Sequence, residues 1–307
     1  MPHLTASADS NVTIAAYTAQ VNLPDTLRTA DGLTLRLRHW PAAAANTLGT
    51  VLVVHGLGEH IGRYAHVAAH LNSWGWQAVG FDQRGHGTSE GEHGAIGAPD
   101  SLLCDLALVV DAVRAAQLAP PMLLLGHSMG GTVAARFVAE GIAGLANDSP
   151  APWHRPVDAL VLSSPALDTG MNVAEKLALT ALLALAPQRA MSNRLKPEWI
   201  SRDPAVVAAY IADPLVHDRI TPLLLRFIVD GGELVQQRAA HWRVPTLLLW
   251  AGADRCVAPA GSAAFAVAAP AGVVTPHEFA PLAHEIFNEP EQDEVFAALQ
   301  RWLAALH

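Results

Sequence analysis

The stretch MLLLGHSMGGTVAARFVAE, residues 122–140, restricts what this chain can fold into more than any other. An apolar run of strand length meets Gly-x-Ser-x-Gly-Gly, and a segment of helical period follows at once. Ser128 therefore falls at a strand-to-helix turn. The apex of so sharp a turn has strained backbone angles, and side chains beside it would collide with the strand or the helix. Gly126 and Gly130 remove them. The serine hydroxyl is left standing clear, as a candidate nucleophile that still needs a base to take its proton.

The rest of the chain supplies the matching architecture. Short apolar runs recur at 50–55, 77–82, 158–164, 245–250 and 272–279, with longer segments of helical period between them. Such continuous runs suit strands buried on both faces by crossover helices, so the expected class is α/β with a mostly parallel central sheet. Asp31-Gly32 between two alternating segments predicts a hairpin, which adds an antiparallel edge. The alternation breaks once. Residues 165–243 contain no convincing strand and are punctuated by Pro187, Pro197, Pro204, Pro214 and Pro222, so they are expected to form a helical cap. The expected organisation is an N-terminal arm at 1–22, a core from 23–164 and 244–307, and the cap at 165–243. Turn residues crowd 144–156, which reads as a surface loop.

Composition narrows the function. The chain has 307 residues, is 51% hydrophobic, and carries a net charge of -9 with only 19 Lys+Arg. It can bury a large core and offers no basic surface, so no nucleic-acid partner is expected. Cys104 and Cys256 are too few for a disulfide framework, which suits a reducing, cytoplasmic setting. The first twenty residues have neither a basic start nor a continuous apolar run, and a frayed arm is expected in place of a signal peptide. LALTALLALA, 177–186, is about half the ~20 residues that span a bilayer. Being apolar nearly all round, it is expected either to be buried in the cap or to touch lipid aggregates.

Three histidines fall late enough to serve Ser128. His277 lies within the last strand and His307 ends the chain, whereas His284 lies in a loop between that strand and the final helix. His284 is the expected base. Asp254 and Asp168 both follow strands, and either could orient it. Asp254 is favoured because its loop opens beside the final strand. An oxyanion hole needs two backbone N–H groups, and these are expected from Met129, just after the serine, and Leu57, which HGLGEH sets between glycines. His55, Glu59 and His60 in that motif miss the H-x-x-E-H zinc spacing by one residue. No metal is expected, and no nucleotide fingerprint is complete, so no cofactor is expected either.

HGLGEHIGRY, FDQRGHGTSEGEHG and LLLGHSMGG, in this order, resemble the monoacylglycerol lipase group of α/β-hydrolases. The likeness continues through ISRDPAVVAAYIADPL, GADR and AHE. It implies an α/β-hydrolase fold, the Ser128–Asp254–His284 triad, the Leu57 and Met129 hole, and a cap over an acyl tunnel. It also implies a polar pocket for the alcohol part of the substrate, formed by Glu59, Arg63, His127 and Tyr210. The expected activity is hydrolysis of monoacylglycerols or similar single-chain esters. A broad carboxylesterase, a lysophospholipase and an aminopeptidase share the same chemistry, and a ligand receptor on this scaffold is the non-enzymatic alternative.

Overall fold

A computed structural model of the protein describes residues 22–42, 47–142 and 150–306. Apart from Asn22, the expected arm lies outside these residues, as do His307 and the first part, 144–149, of the 144–156 loop. Eight strands form one sheet in the order β1-β2-β4-β3-β5-β6-β9-β10. β1 (Thr26–Arg28) and β2 (Thr34–Trp40) form the hairpin expected at Asp31-Gly32, and β2 runs antiparallel to β4 (Trp76–Asp82). From β4 onward every neighbouring pair is parallel: β3 (Gly49–Val54), β5 (Met122–His127), β6 (Ala159–Ser163), β9 (Thr246–Ala251) and β10 (Val274–Phe279).

Successive strand residues face opposite sides of a sheet, and here both sides are covered. In β3 and β5, Val51, Val53, Leu123 and Leu125 join one apolar cluster with α1 (Ala65–Ser73) and α8 (Gln292–Ala304). Leu52, Val54 and Leu124 join the other, with α2 (Ser101–Ala115), α3 (Met129–Glu140) and α7 (Pro259–Ala268). The unbroken apolar runs of the sequence follow from this two-sided burial.

The insert holds α4 (Val173–Leu185), α5 (Pro204–Ala212) and α6 (Pro222–Arg238). It also holds one feature not expected from the sequence, a minimal antiparallel pair of β7 (Met191–Ser192) and β8 (Arg219–Ile220). Two residues per strand leave no periodicity to detect. The three helices differ in how they sit. Phe227, Ile228 and Val235 of α6 belong to the core cluster, and Gly231 lets that helix close on α3, where a Cβ would stand 2.8 Å from the Thr132 methyl. By contrast α4 buries only Leu179, leaving Val173 75%, Leu177 67% and Leu185 83% exposed. An Asn172–Glu175 capping box starts that helix, so its local structure does not depend on burial alone.

Candidate active site

Ser128 follows β5 and precedes α3 with φ 53° and ψ −122°, the strained turn expected of a serine held at an elbow. The glycines around it allow close backbone approach. A Cβ on Gly126 would lie 2.5 Å from the Gly130 carbonyl, and one on Gly130 would lie 2.1 Å from the Val54 carbonyl. Gly130 thus brings the start of α3 against the end of β3. That contact sets the Met129 amide, first in the helix and without an intrahelical partner, near the loop that carries Leu57. The Leu57 amide likewise donates to no described group.

His284 and Asp254 meet at the carboxyl ends of β10 and β9. His284 Nδ1 donates to Asp254 Oδ2 at 2.6 Å, which leaves Nε2 as the free, basic nitrogen. The other carboxylate oxygen accepts the amides of Cys256 at 2.7 Å and Val257 at 3.1 Å, so the acid is fixed by its own turn. Burial pushes the imidazole down, but the Asp254 charge and hydrogen bond, backed by Glu285 and Glu59, outweigh it. The His284 pKa lies above the ordinary 6.5. Burial likewise pushes Asp254 up, and His284 with the two amides more than reverses this. The alternative acid, Asp168, is exposed, accepts the Gly170 amide at 2.8 Å, and lines a different cavity. His277 is exposed on the edge strand β10.

Ser128 and His284 face one cavity. The hydroxyl is not hydrogen-bonded to the ring in this structure, which is common before a substrate brings such groups together. Two cavities meet at the serine. One, about 370 Å³, is the more polar of the two and is lined by Glu59, His127, Tyr210, Asp213 and Glu285 among others. The second, about 400 Å³, is lined mainly by apolar groups such as Met171, Leu179, Leu182, Leu225 and Ile228. Leu57, Ser128, Ser192, Asn193, Leu195 and Cys256 border both.

The polar pocket suggested by the resemblance is only partly assembled as expected. Glu59, His127 and Tyr210 line the polar cavity, but Arg63 is not among its lining residues. Arg63 stands behind, with Nη1 2.6 Å from Glu59 Oε2 and both its terminal nitrogens on Glu285 at 2.6 and 2.7 Å. The remaining Glu59 oxygen accepts the Gly56 amide at 2.6 Å and the Tyr64 hydroxyl at 2.7 Å. Burial pushes this carboxyl up, yet the Arg63 charge and the hydrogen bond from Tyr64 hold it well below the usual range. Glu59 therefore anchors the loop before Leu57 as well as facing the cavity. His127 is driven down to about 3 by burial and by His284, so it stays neutral; its Nδ1 lies 3.1 Å from the Ser163 hydroxyl. The Tyr210 hydroxyl bonds to no described group, and its ring lies 4.8 Å from the Arg63 guanidinium.

Among the described residues, one trio could approach a metal ion: Asp254, Cys256 and His284, with ligand atoms all within 4.8 Å of one another. Both Asp254 oxygens are already engaged, and burial with the Asp254 charge pushes the Cys256 thiol up, keeping it protonated. These residues do not match a ready cation site. In HGLGEH, both His55 ring nitrogens have backbone partners and His60 pairs with Asp213 of the insert at 2.9 Å. Cys256, Glu285 and Asp213 also line the cavity, a role the sequence reading did not assign to them. Glu285 and Asp213 fall inside AHE and ISRDPAVVAAYIADPL, and Cys256 and Glu285 lie within two residues of Asp254 and His284.

Similarity to known proteins converges on the same region. The profile of a hydrolase family described as serine aminopeptidase, S33, matches residues 45–291. A monoacylglycerol lipase of Mycolicibacterium smegmatis is 33% identical over 260 residues, covering 84% of this chain and 88% of that protein. An uncharacterized abhydrolase domain-containing protein of Dictyostelium discoideum is 32% identical over 90% of this chain, which spans only 28% of its length. The crystal structure of a Paleococcus ferrophilus monoacylglycerol lipase superimposes with a TM-score of 0.77 at 30% identity, covering 89% of this chain and 99% of the other.

Proposed function

The chain belongs to the serine aminopeptidase S33 family of α/β-hydrolases, and from that premise we propose that it hydrolyses monoacylglycerols or closely similar single-chain esters through an acyl-enzyme on Ser128. The observation that carries this reading is the serine's position at the junction of an apolar cavity and a more polar one, with His284, held by Asp254, lining the latter. An acyl chain fits the apolar side and a small polyol the polar side. Similarity to the two monoacylglycerol lipases supports the same substrate.

In the first half-reaction, Ser128 Oγ attacks the ester carbonyl carbon while His284 Nε2 takes its proton. The Leu57 and Met129 amides receive the carbonyl oxygen as it becomes negative. The C–O bond then breaks, and the imidazolium, stabilised by Asp254, returns the proton to the departing alcohol. Water, deprotonated by the same nitrogen, attacks the acyl carbon; the bond to Ser128 Oγ breaks, the imidazolium returns the proton to that oxygen, and the fatty acid leaves. No step calls for a metal or an organic cofactor. Glu59, His127 and Tyr210 contact the alcohol portion, with Arg63 holding Glu59 in place.

Residues 165–243 act as the cap, rooted in the core by α6. The exposed apolar face of α4 touches lipid aggregates, and its other side, through Ala178, Leu179 and Leu182, lines the acyl cavity. No described helix is long and apolar enough to cross a membrane. We place the protein in the cytoplasm, where its two free cysteines would stay reduced. Turnover of a panel of monoacylglycerols, lysophospholipids, aryl esters and aminoacyl amides tests the substrate class. Monoacylglycerols should give the highest kcat/KM, and preferred cleavage of aminoacyl amides would overturn the reading.

A further inference from the structure

The loop after β3 is held at several of its polar backbone groups. The His55–Gly56 peptide is fixed at both ends: Gln83 Nε2 donates to the His55 carbonyl at 2.6 Å, and the Gly56 amide donates to Glu59 Oε1 at 2.6 Å. The Gly58 carbonyl accepts the His217 amide from the insert at 2.9 Å. That approach requires glycine, since a Cβ on Gly58, at φ +75°, would stand 2.3 Å from the His217 carbonyl. The Leu57 amide remains free, beside Ser128 and on the border of both cavities.

The direction of that amide is set by the carbonyl on the same peptide. His55 is fully buried, and its Nε2 lies 2.9 Å from the Gln83 amide. A backbone N–H only donates, so Nε2 accepts and carries no proton. The ring proton is therefore on Nδ1, which lies 2.8 Å from the Gly56 carbonyl oxygen and donates to it. A trans peptide is planar, with its C=O and N–H pointing opposite ways. A donor that fixes the Gly56 carbonyl on one side therefore aims the Leu57 N–H at the other. With a glycine at position 56 and no such donor, this peptide could flip at little steric cost.

We propose that His55 is a positioning residue for the oxyanion hole: its Nδ1–H holds the Gly56–Leu57 peptide so that the Leu57 amide faces the developing negative charge. This rests on the reading of Leu57 as a hole donor to an ester attacked by Ser128. His55 touches no substrate atom, and its effect passes entirely through one peptide group. The consequence is a defect confined to the transition state, because a ground-state carbonyl gains far less from the donor than an oxyanion does.

Two substitutions separate the two ring nitrogens. His55→Asn retains an N–H donor near the Nδ1 position and loses the acceptor for Gln83, whereas His55→Gln retains an acceptor near Nε2 and loses the donor. For a folded His55→Gln protein, kcat on a monoacylglycerol should fall by about 10²-fold, the loss typical of a missing hole donor, with KM nearly unchanged. The inhibition constant of a trifluoromethyl ketone, which forms an oxyanion on the serine, should rise in parallel. His55→Asn should keep kcat within about tenfold of the parent. Equal losses in the two variants, or a rise in KM with unchanged ketone affinity, would overturn the proposal. Should the Gln variant fail to fold, a folded Asn variant that loses 10²-fold in kcat would overturn it just as well. Ser128→Ala in the same assay keeps the two levels apart. Full activity there sinks the active-site reading itself, while an inactive Ser128→Ala beside an undiminished His55→Gln sinks only the role of His55.

Discussion

Asp254 Oδ2 receives the Nδ1 proton of His284 at 2.6 Å across 30 residues of sequence, and the second carboxylate oxygen is pinned by two amides of its own turn. The acid can neither rotate away nor accept a different partner without losing those bonds. It fixes the tautomer that leaves Nε2 free to take a proton. Asp254→Asn should therefore lower kcat by about 10⁴-fold with little change in thermal stability. The same loss in Asp168→Asn, with Asp254→Asn active, would reassign the acid.

The pH profile reads the same contact. A base works only when unprotonated, so kcat/KM should rise as pH climbs through the His284 pKa of the free enzyme. Because Asp254, Glu285 and Glu59 together outweigh burial, that midpoint should lie above the ordinary 6.5. In any residual activity of Asp254→Asn the midpoint should move to lower pH, since the carboxylate no longer favours the imidazolium. A midpoint below 6.5 in the parent enzyme contradicts the assignment.

Tyr210 presents a hydroxyl with no partner among the described residues to the polar cavity, while its ring rests on Arg63. Tyr210→Phe keeps the ring and removes the hydroxyl. KM for a monoacylglycerol should rise several-fold, about what one hydrogen bond is worth, and that for a p-nitrophenyl ester should stay put. Equal effects on both substrates would show that the hydroxyl does not read the alcohol portion.

Much of this was legible beforehand because the responsible signals are short-range. The Gly126–Ser128–Gly130 elbow, the apolar runs of the parallel strands and the Asp31-Gly32 hairpin each depend on residues close together in the chain. The placement of His284 on a loop after the last strand followed from strand order. What the sequence concealed is long-range. The reach of Arg63 to Glu285, 222 residues away, moves Arg63 out of the cavity lining, and no local pattern announces it. The β7–β8 pair is too short to show a period, and the rooting of α6 in the core depends on where its glycines meet α3.

The cap makes a separate prediction. Leu177 and Leu185 lie on the outer face of α4, exposed by 67% and 83%, so aspartate at both should leave the fold intact. Hydrolysis of long-chain monoacylglycerol in vesicles should drop several-fold, while a soluble short-chain ester is cleaved as before. Vesicle activity equal to the parent's would remove the lipid contact from the proposed function.

The central claim is that the Ser128 hydroxyl is the group that becomes acylated. Intact-mass analysis after treatment with a fluorophosphonate, followed by peptide mapping, tests it most directly. One adduct per chain should form on Ser128 of the parent protein, with monoacylglycerol hydrolysis lost in step. Ser128→Ala should take up no label and show turnover reduced by about 10⁴-fold or more. A labelled, active Ser128→Ala, or an adduct mapped to another residue, would contradict it.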